Sequence, residues 1–211
     1  FCEKIIKPEG YLMHKYLPNG ELGPSWHPYA QYDGEKNLPI QVDETAGIVF
    51  LVSQFHSKFH NIELLRKYYS TLVKPMSYFL SSTYTTSIVY AALNAASELA
   101  RELGNAKDAL KWQSVAEKIF KTAHNELYSE GRGYFYRGIL PNGEKDETID
   151  ISSFYGAFIF GLFDLQSNET ITSLKTLESR FDTAQNIGIP RFENDVYYRQ
   201  NDKLDGNFWI I

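Results

Sequence analysis

The sequence predicts an all-α protein with short β-hairpins in its loops, on three observations. Apolar residues recur at helical spacing through six stretches of the 211-residue chain. Two Leu-Pro-Asn-Gly turns, at Leu17–Gly20 and Leu140–Gly143, each follow a Tyr-rich segment and suit tight hairpins, because Asn-Gly tolerates positive φ. Hydrophobic residues at 43% and charged residues at 22% suit a globular core that needs neither disulfide nor metal. The length fits one domain or a large piece of one.

The elements follow in order. Asp43–Phe59 reads as a mostly buried helix, with Ala46, Ile48, Val49, Leu51, Val52 and Phe55 inward and Asp43-Glu44-Thr45 in its first turn. Asn61 caps a helix from Ile62 to about Leu80, bent at Pro75. Thr85–Leu103 is so rich in Ala and small residues that it suits a helix packed on two sides. Gly104-Asn105 stops it and starts the next, in which Ala106, Ala109, Leu110, Ala116, Ile119, Phe120, Ala123 and Leu127 face inward. Lys107, Lys111, Lys118 and Lys121 face water in that helix. Two further helices run from about Ile151 to Leu165 and from Asn168 to Phe181.

Composition excludes several function classes. A net charge of −5 argues against a broad nucleic-acid surface. No apolar run approaches the roughly 18–20 residues of a membrane span, and the opening Phe1–Gly10 is not a signal peptide, which leaves location open. Cys2, the single cysteine, rules out an internal disulfide framework and has no nearby partner. The chain opens without Met and stops in an apolar run, Phe208–Ile211, that reads as a helix beginning; a longer protein is expected. There is no glycine-rich phosphate loop and no Gly-x-Ser-x-Gly elbow, so no cofactor is expected.

His56 and His60 stand at i and i+4 but lack the Glu of a metalloprotease helix; they read as a helix end exposing two histidines, and no metal is expected. Asn168-Glu169-Thr170 matches a glycosylation sequon and reads as a helix N-cap. The Ala-rich pair over Ala91–Leu127 suits a helical-repeat scaffold for binding proteins, but no copy recurs at a fixed period.

Three segments combine polar and aromatic residues: Pro24–Tyr29 with Leu38–Thr45; Thr83–Thr86; and Ile189–Tyr198 with Gly206–Trp209. With 15 Tyr, 14 Phe and 3 Trp making 15% of the chain, a site that stacks on flat ligand faces is within reach. Gathered at one centre, these loops would offer carboxylates, one guanidinium and aromatic rings. Sugars need that set: charged groups bind hydroxyls and rings stack on the C–H face.

The same segments, in order, resemble the glucoamylase family, family 15 of the glycoside hydrolases. Pro39–Ala46 resembles its Pro-x-Gln-x-Asp motif, Thr83–Thr86 the segment after its general acid, and Asp150–Ser153 its Asp-Ala-Ser helix start. Arg191–Tyr198 and Gly206–Trp209 resemble its Arg-Tyr-x-x-Asp-x-Tyr-Tyr and Gly-Asn-Pro-Trp motifs. The resemblance spans the chain from about Gly10 onward and implies part of an (α/α)6 toroid with its site at one mouth. It implies inverting release of glucose from non-reducing ends of α-glucosides, as in glucoamylases, trehalases or glucodextranases. One carboxylic acid protonates the leaving oxygen and a carboxylate roughly 6.5–9.5 Å away activates water. Arg191 and Asp195 would hold hydroxyls of the terminal glucose, Trp209 would form pocket wall, and Tyr84 and Trp26 would add to it. Asp43 would bind sugar or orient a neighbour, or else merely cap its helix.

Departures matter as much. Phe192 and Phe208 stand where the family prefers Tyr and Pro, and Arg199–Asp205 lengthens a loop. No Trp-Glu-Glu general-acid segment precedes Thr83, and the general-base position lies past Ile211, so no catalytic residue is assigned. A segment is expected to be missing between Ser82 and Thr83, and the 211 residues alone should be inactive. The partner implied is an α-glucoside; oligomeric state is open. A non-catalytic sugar binder is the alternative.

Overall fold

A computed structural model describes residues 1–7, 10–24, 40–72, 82–140, 142–181, 188–200 and 206–209. Trp26 and the bend expected at Pro75 lie outside the described residues. The chain forms two compact units, Phe1–Phe79 with Ala92–Gln113, and Leu80–Ala91 with Ser114–Ile211.

The first unit holds the short α1 (Cys2–Ile5), then α2 (Val42–Phe59) packed on α3 (Ile62–Leu72). The turn at Asn19-Gly20 forms as expected: Gly20 takes φ 92°, and Leu17 N–H donates to Glu21 O at 2.8 Å. Asn61 caps α3, its Oδ1 accepting from Leu64 N–H at 2.9 Å. The buried stripe of α2 differs from the expected one. Thr45, Ala46, Val49, Ser53 and His56 are buried, whereas Leu51 is 65% and Phe55 42% exposed. Ile48, Leu51, Val52 and Phe55 instead line an open apolar groove of about 600 Å³ with Phe1, Leu64 and Tyr68. His56 therefore corrects the sequence reading: it sits one turn from Ser53 on the inward face, and its Nε2 lies 2.9 Å from Glu102 Oε1. Neither ring nitrogen makes a well-aligned hydrogen bond, so this is a close approach rather than a directed bond. Only His60 is exposed.

α4 (Thr83–Glu102) and α5 (Ala106–Glu126) run through both units. From Thr86 to Ala100 every residue of α4 is buried except Tyr90, Asn94 and Glu98, a single i, i+4 line. That is the pattern its small residues dictate: Ala and Ser let neighbouring backbones approach on nearly all sides, and Ser97 Oγ reaches Ala109 O at 2.9 Å. In α5, Ala109, Ala116, Ile119 and Ala123 are inward as expected and the four lysines exposed, but Leu110 is 68% exposed and Trp112 takes a buried place. Trp112 lies three residues after Ala109 and so shares its face, stacked edge-on with Tyr69.

The second unit adds hairpins β1 (Tyr128–Ser129) with β2 (Tyr134–Phe135), and β3 (Gly138–Ile139) with β4 (Lys145–Asp146). The latter closes at Asn142-Gly143, with Gly143 at φ 85°. Helices α6 (Ile151–Ile159) and α7 (Asn168–Phe181) follow, α7 packing on β2 and α6. The expected helix to Leu165 stops six residues early because Gly161 turns left-handed at φ 68° and Phe163 N–H reaches back to Ala157 O at 2.9 Å. Leu162 and Phe163 are buried outside the helix, which is why the apolar run misleads. The cap of α7 is Ser167, whose Oγ accepts from Thr170 N–H at 3.2 Å, not Asn168. The last pair is β5 (Ile189–Pro190) with β6 (Phe208–Trp209).

Close approach of α4 to α6 rests on Gly156, where a Cβ would lie 2.9 Å from Tyr84 Cδ2 and 3.1 Å from its Cα. The second contact is backbone and has little room to yield. Gly156→Ala should gain up to about 1 kcal/mol of helix propensity but lose more to overpacking, a net destabilisation of about 1–2 kcal/mol. Urea denaturation of the complete protein checks this; an unchanged or raised midpoint would show that the helices have slack.

Candidate functional site

The polar centre of the second unit is assembled from backbone outward. Arg137 follows β2, and its carbonyl accepts from Thr83 N–H at 3.0 Å, at the start of α4, and from Ser153 Oγ at 3.5 Å, in the first turn of α6. Thr83 Oγ1 also donates to Tyr136 O at 2.5 Å. Ser82 Oγ caps α4 by accepting from Thr85 N–H at 3.0 Å. Two helix starts thus meet at one short segment.

The Arg191 loop joins them. Ile151 N–H donates to Arg191 O and Glu193 N–H to Ile149 O, both at 2.9 Å, in a bridge of Asp150 with Phe192. Asp150 is the N-cap of α6, its Oδ1 accepting from Ser153 N–H at 2.9 Å and from the Ser152 hydroxyl. Its Oδ2 lies 3.4 Å from Arg137 Nε. Glu193 is bound in as well, accepting from Ile149 N–H at 3.0 Å and lying 3.3 Å from Arg180 Nη2.

Arg191 and Asp195 form a bidentate pair, Nε to Oδ2 at 2.7 Å and Nη2 to Oδ1 at 2.9 Å. Asp195 is only 1% exposed; its Oδ1 also accepts from Tyr197 N–H at 3.0 Å, and its carbonyl from Arg199 Nε at 3.1 Å. The Arg191 bond, the Tyr197 N–H and the nearby Arg199 hold the Asp195 carboxyl below the usual carboxylate range, against the opposing effect of burial. The Arg191 side chain is 39% exposed. Asp195 therefore holds the guanidinium in place while part of that group faces solvent. Gly206 makes the arrangement possible: a Cβ there would lie 2.9 Å from Asp195 Cβ.

Flat rings flank both guanidinium groups. Arg191 Cζ lies 5.4 Å from the Phe192 ring centre and 4.7 Å from that of Tyr197, and Arg137 Cζ lies 4.3 Å from the Phe192 ring. Phe192 is thus held between two arginines, each matched by a buried carboxylate. Arg137 escaped the sequence reading. Its signal was faint: a cation one residue beyond the Tyr134–Tyr136 run, with nothing in the order of residues to show that its main chain joins two helix starts.

The sequence-derived residues divide as follows. Arg191 and Asp195 are in direct contact, and the Trp209 main chain pairs opposite Ile189, two residues before Arg191. Tyr84 lies on the helix start that Arg137 anchors, its ring edge-on to Phe160 at 5.7 Å and against Gly156. Asp43 belongs to the first unit, in the first turn of α2; the N-cap position is Gln41, so the capping alternative for Asp43 does not hold. Burial, with the neighbouring Asp43 charge adding to it, raises the Glu44 carboxyl above its ordinary value. Among the described residues no group of His, Cys, Asp or Glu could hold a metal, and no helix is long and apolar enough to cross a membrane.

Solved structures decide the fold. A bacterial glucoamylase complexed with acarbose matches over 98% of this chain with a TM-score of 0.73 at 19% identity. The chain has a glucoamylase-like fold. It covers 34% of that glucoamylase chain, so it spans about a third of its length. A glycosidase variant in complex with glucose matches over 85% of this chain and 49% of its own, with a TM-score of 0.63 at 16% identity. At such identities the glucoamylase-like likeness establishes architecture, as the order of motifs implied. No family profile and no curated protein matches the sequence.

Proposed function

We propose that the protein is an inverting glycoside hydrolase that releases glucose from non-reducing ends of α-glucosides. The observation that carries this reading is Arg191: a half-exposed guanidinium fixed by a buried carboxylate and set between aromatic faces. Its N–H groups bind vicinal sugar hydroxyls through charge-assisted bonds, while the rings meet C–H faces. Asp195 holds that geometry, and Trp209 and Tyr84 supply further wall contacts. The bound acarbose and glucose of the matched structures support a sugar as ligand.

The reaction needs two carboxyls. One protonates the glycosidic oxygen as the bond breaks. The other takes a proton from water attacking the opposite face, so that the released glucose is the β-anomer. Neither step is assigned to these 211 residues.

The complete gene product should release β-glucose from at least one of maltose, dextrin, isomaltose and trehalose, with the first-formed anomer read by NMR. Sugar binding without turnover on all four would reduce the protein to a carbohydrate binder. Peptide mapping supplies a second check: a mature peptide joining Ser82 directly to Thr83 would remove the proposed general-acid segment.

A further inference from the structure

Asp150 is required in one place and hazardous to its neighbour. Its carboxylate starts α6, where Oδ1 accepts from Ser153 N–H at 2.9 Å and from the Ser152 hydroxyl. Asp150 is also 7% exposed and stands against the Arg191 loop. It bridges to Phe192, and Ile151 N–H donates to Arg191 O at 2.9 Å. A buried negative charge placed there competes with Asp195 for the Arg191 guanidinium, because attraction between partly buried charges is only weakly screened.

Arg137 meets that charge. Its Nε lies 3.4 Å from Asp150 Oδ2, the oxygen that the helix cap leaves over. Its Cζ lies 4.3 Å from the Phe192 ring centre, and Arg191 Cζ 5.4 Å from the same centre. One ring thus separates two ion pairs, Arg137 with Asp150 and Arg191 with Asp195. The Asp195 hydrogen bond chiefly, with electrostatic contributions from Asp195, Tyr197 and Asp150 adding and burial opposing, raises the Arg191 guanidinium above its ordinary value. The Asp150 charge therefore reaches Arg191. The fold gains little from the Arg137 side chain, a 39% exposed cation at 3.4 Å from its partner. The Arg137 carbonyl, which receives Thr83 N–H and Ser153 Oγ, survives any change of that side chain.

We propose that Arg137 is a positioning residue: by neutralising Asp150 across the Phe192 ring, it keeps the Arg191 fork bonded to Asp195 and aimed at the ligand. This rests on reading Arg191 as the contact for the terminal glucose. Without the Arg137 charge, Asp150 draws the guanidinium off Asp195. The bonds to two sugar hydroxyls then fail together, because a planar fork makes both only when held in one orientation. Arg137 acts without touching the sugar.

The test uses the complete protein with maltotriose and with α-glucosyl fluoride, which carries no second ring. Arg137→Gln should lower kcat/KM about tenfold on both, because the terminal glucose is common to them. Its melting temperature should stay within about 3 °C of wild type. The deciding variant adds Asp150→Asn, since asparagine caps a helix as well as aspartate does but carries no charge to draw Arg191. Arg137→Gln/Asp150→Asn should regain kcat/KM to within about threefold of wild type. A double variant no better than Arg137→Gln, full activity in Arg137→Gln, or a larger fall in its melting temperature would overturn the proposal. The first would mean that Arg137 only supports the fold or meets the sugar itself. Should the protein hydrolyse neither substrate, the hydrolase reading fails by itself, and crystal structures of the variants decide the positioning. In Arg137→Gln at least one of the two Arg191–Asp195 bonds must be broken, and in the double variant both restored. An Arg191 fork unmoved in Arg137→Gln would refute the role.

Discussion

Arg191→Ala in the complete protein is expected to lower kcat/KM on α-glucosides about 10²–10³-fold, the largest single effect in the site outside the catalytic carboxyls. Two charge-assisted hydrogen bonds to sugar hydroxyls are lost, each worth about 1.5–3 kcal/mol. Part of that is regained by water, because the side chain is 39% exposed. Arg191→Lys keeps the charge but not the fork that pairs with Asp195, so it should recover only a fraction. The decisive comparison is between substrates. A loss shared by glucosyl fluoride and maltotriose places Arg191 at the terminal glucose, whereas variants with wild-type rates on both would remove the residue from the site altogether.

Asp195→Ala should cost about 2–3 kcal/mol of stability. A fully buried ion pair that loses one partner costs about 3–5 kcal/mol; here half-exposed Arg191 turns partly to solvent, which lowers the figure. The Tyr197 N–H also loses its acceptor. The pH dependence distinguishes this from general loosening. The Asp195 carboxyl is held below its ordinary value in the folded state. The unfolded chain then binds more protons in the window between the two values, and stability rises with pH there. The contribution is complete above the unfolded value of about 3.9 and disappears as acid passes the folded one. The gap between wild-type and Asp195→Ala in urea midpoint should be flat from about pH 6 upward and shrink below about pH 4. A gap unchanged at pH 3 would mean that the carboxylate charge is irrelevant.

Much of the fold was readable because its helices carry strong local signals. α5 starts where Gly104-Asn105 places it and α7 at the expected Asn168, and Ala-rich α4 is buried nearly all round, as its small residues require. The errors share a cause. The run through Leu162 and Phe163 is buried by tertiary packing after the helix has ended at Gly161, so apolar spacing overran a glycine stop. In α2 the most apolar face lines a groove, while Thr45, Ser53 and His56 point inward, because Thr45 Oγ1 accepts from Leu12 N–H at 3.0 Å and His56 approaches Glu102. Such long-range polar partners leave no trace in periodicity. At the candidate site the sequence singled out Arg191 and Asp195 as separate sugar contacts and not as the bonded pair they form, and the Arg137 carbonyl receives Thr83 from 54 positions away and Ser153 from 16.

The two Asn-Gly turns carry a chemical liability. Glycine offers no side chain to hinder attack of its own amide nitrogen on the preceding carboxamide, so ammonia leaves through a succinimide and an aspartate or isoaspartate remains. At Asn142 the lost Nδ2 donates to Glu144 Oε2 at 2.8 Å, and its replacement sets two negative charges face to face at the tip of β3–β4. At Asn19 the side chain merely accepts from Glu21 N–H at 3.0 Å, a bond that a carboxylate also accepts. Ageing of the purified protein should therefore open the second hairpin before the first, beginning at the end farthest from Arg137.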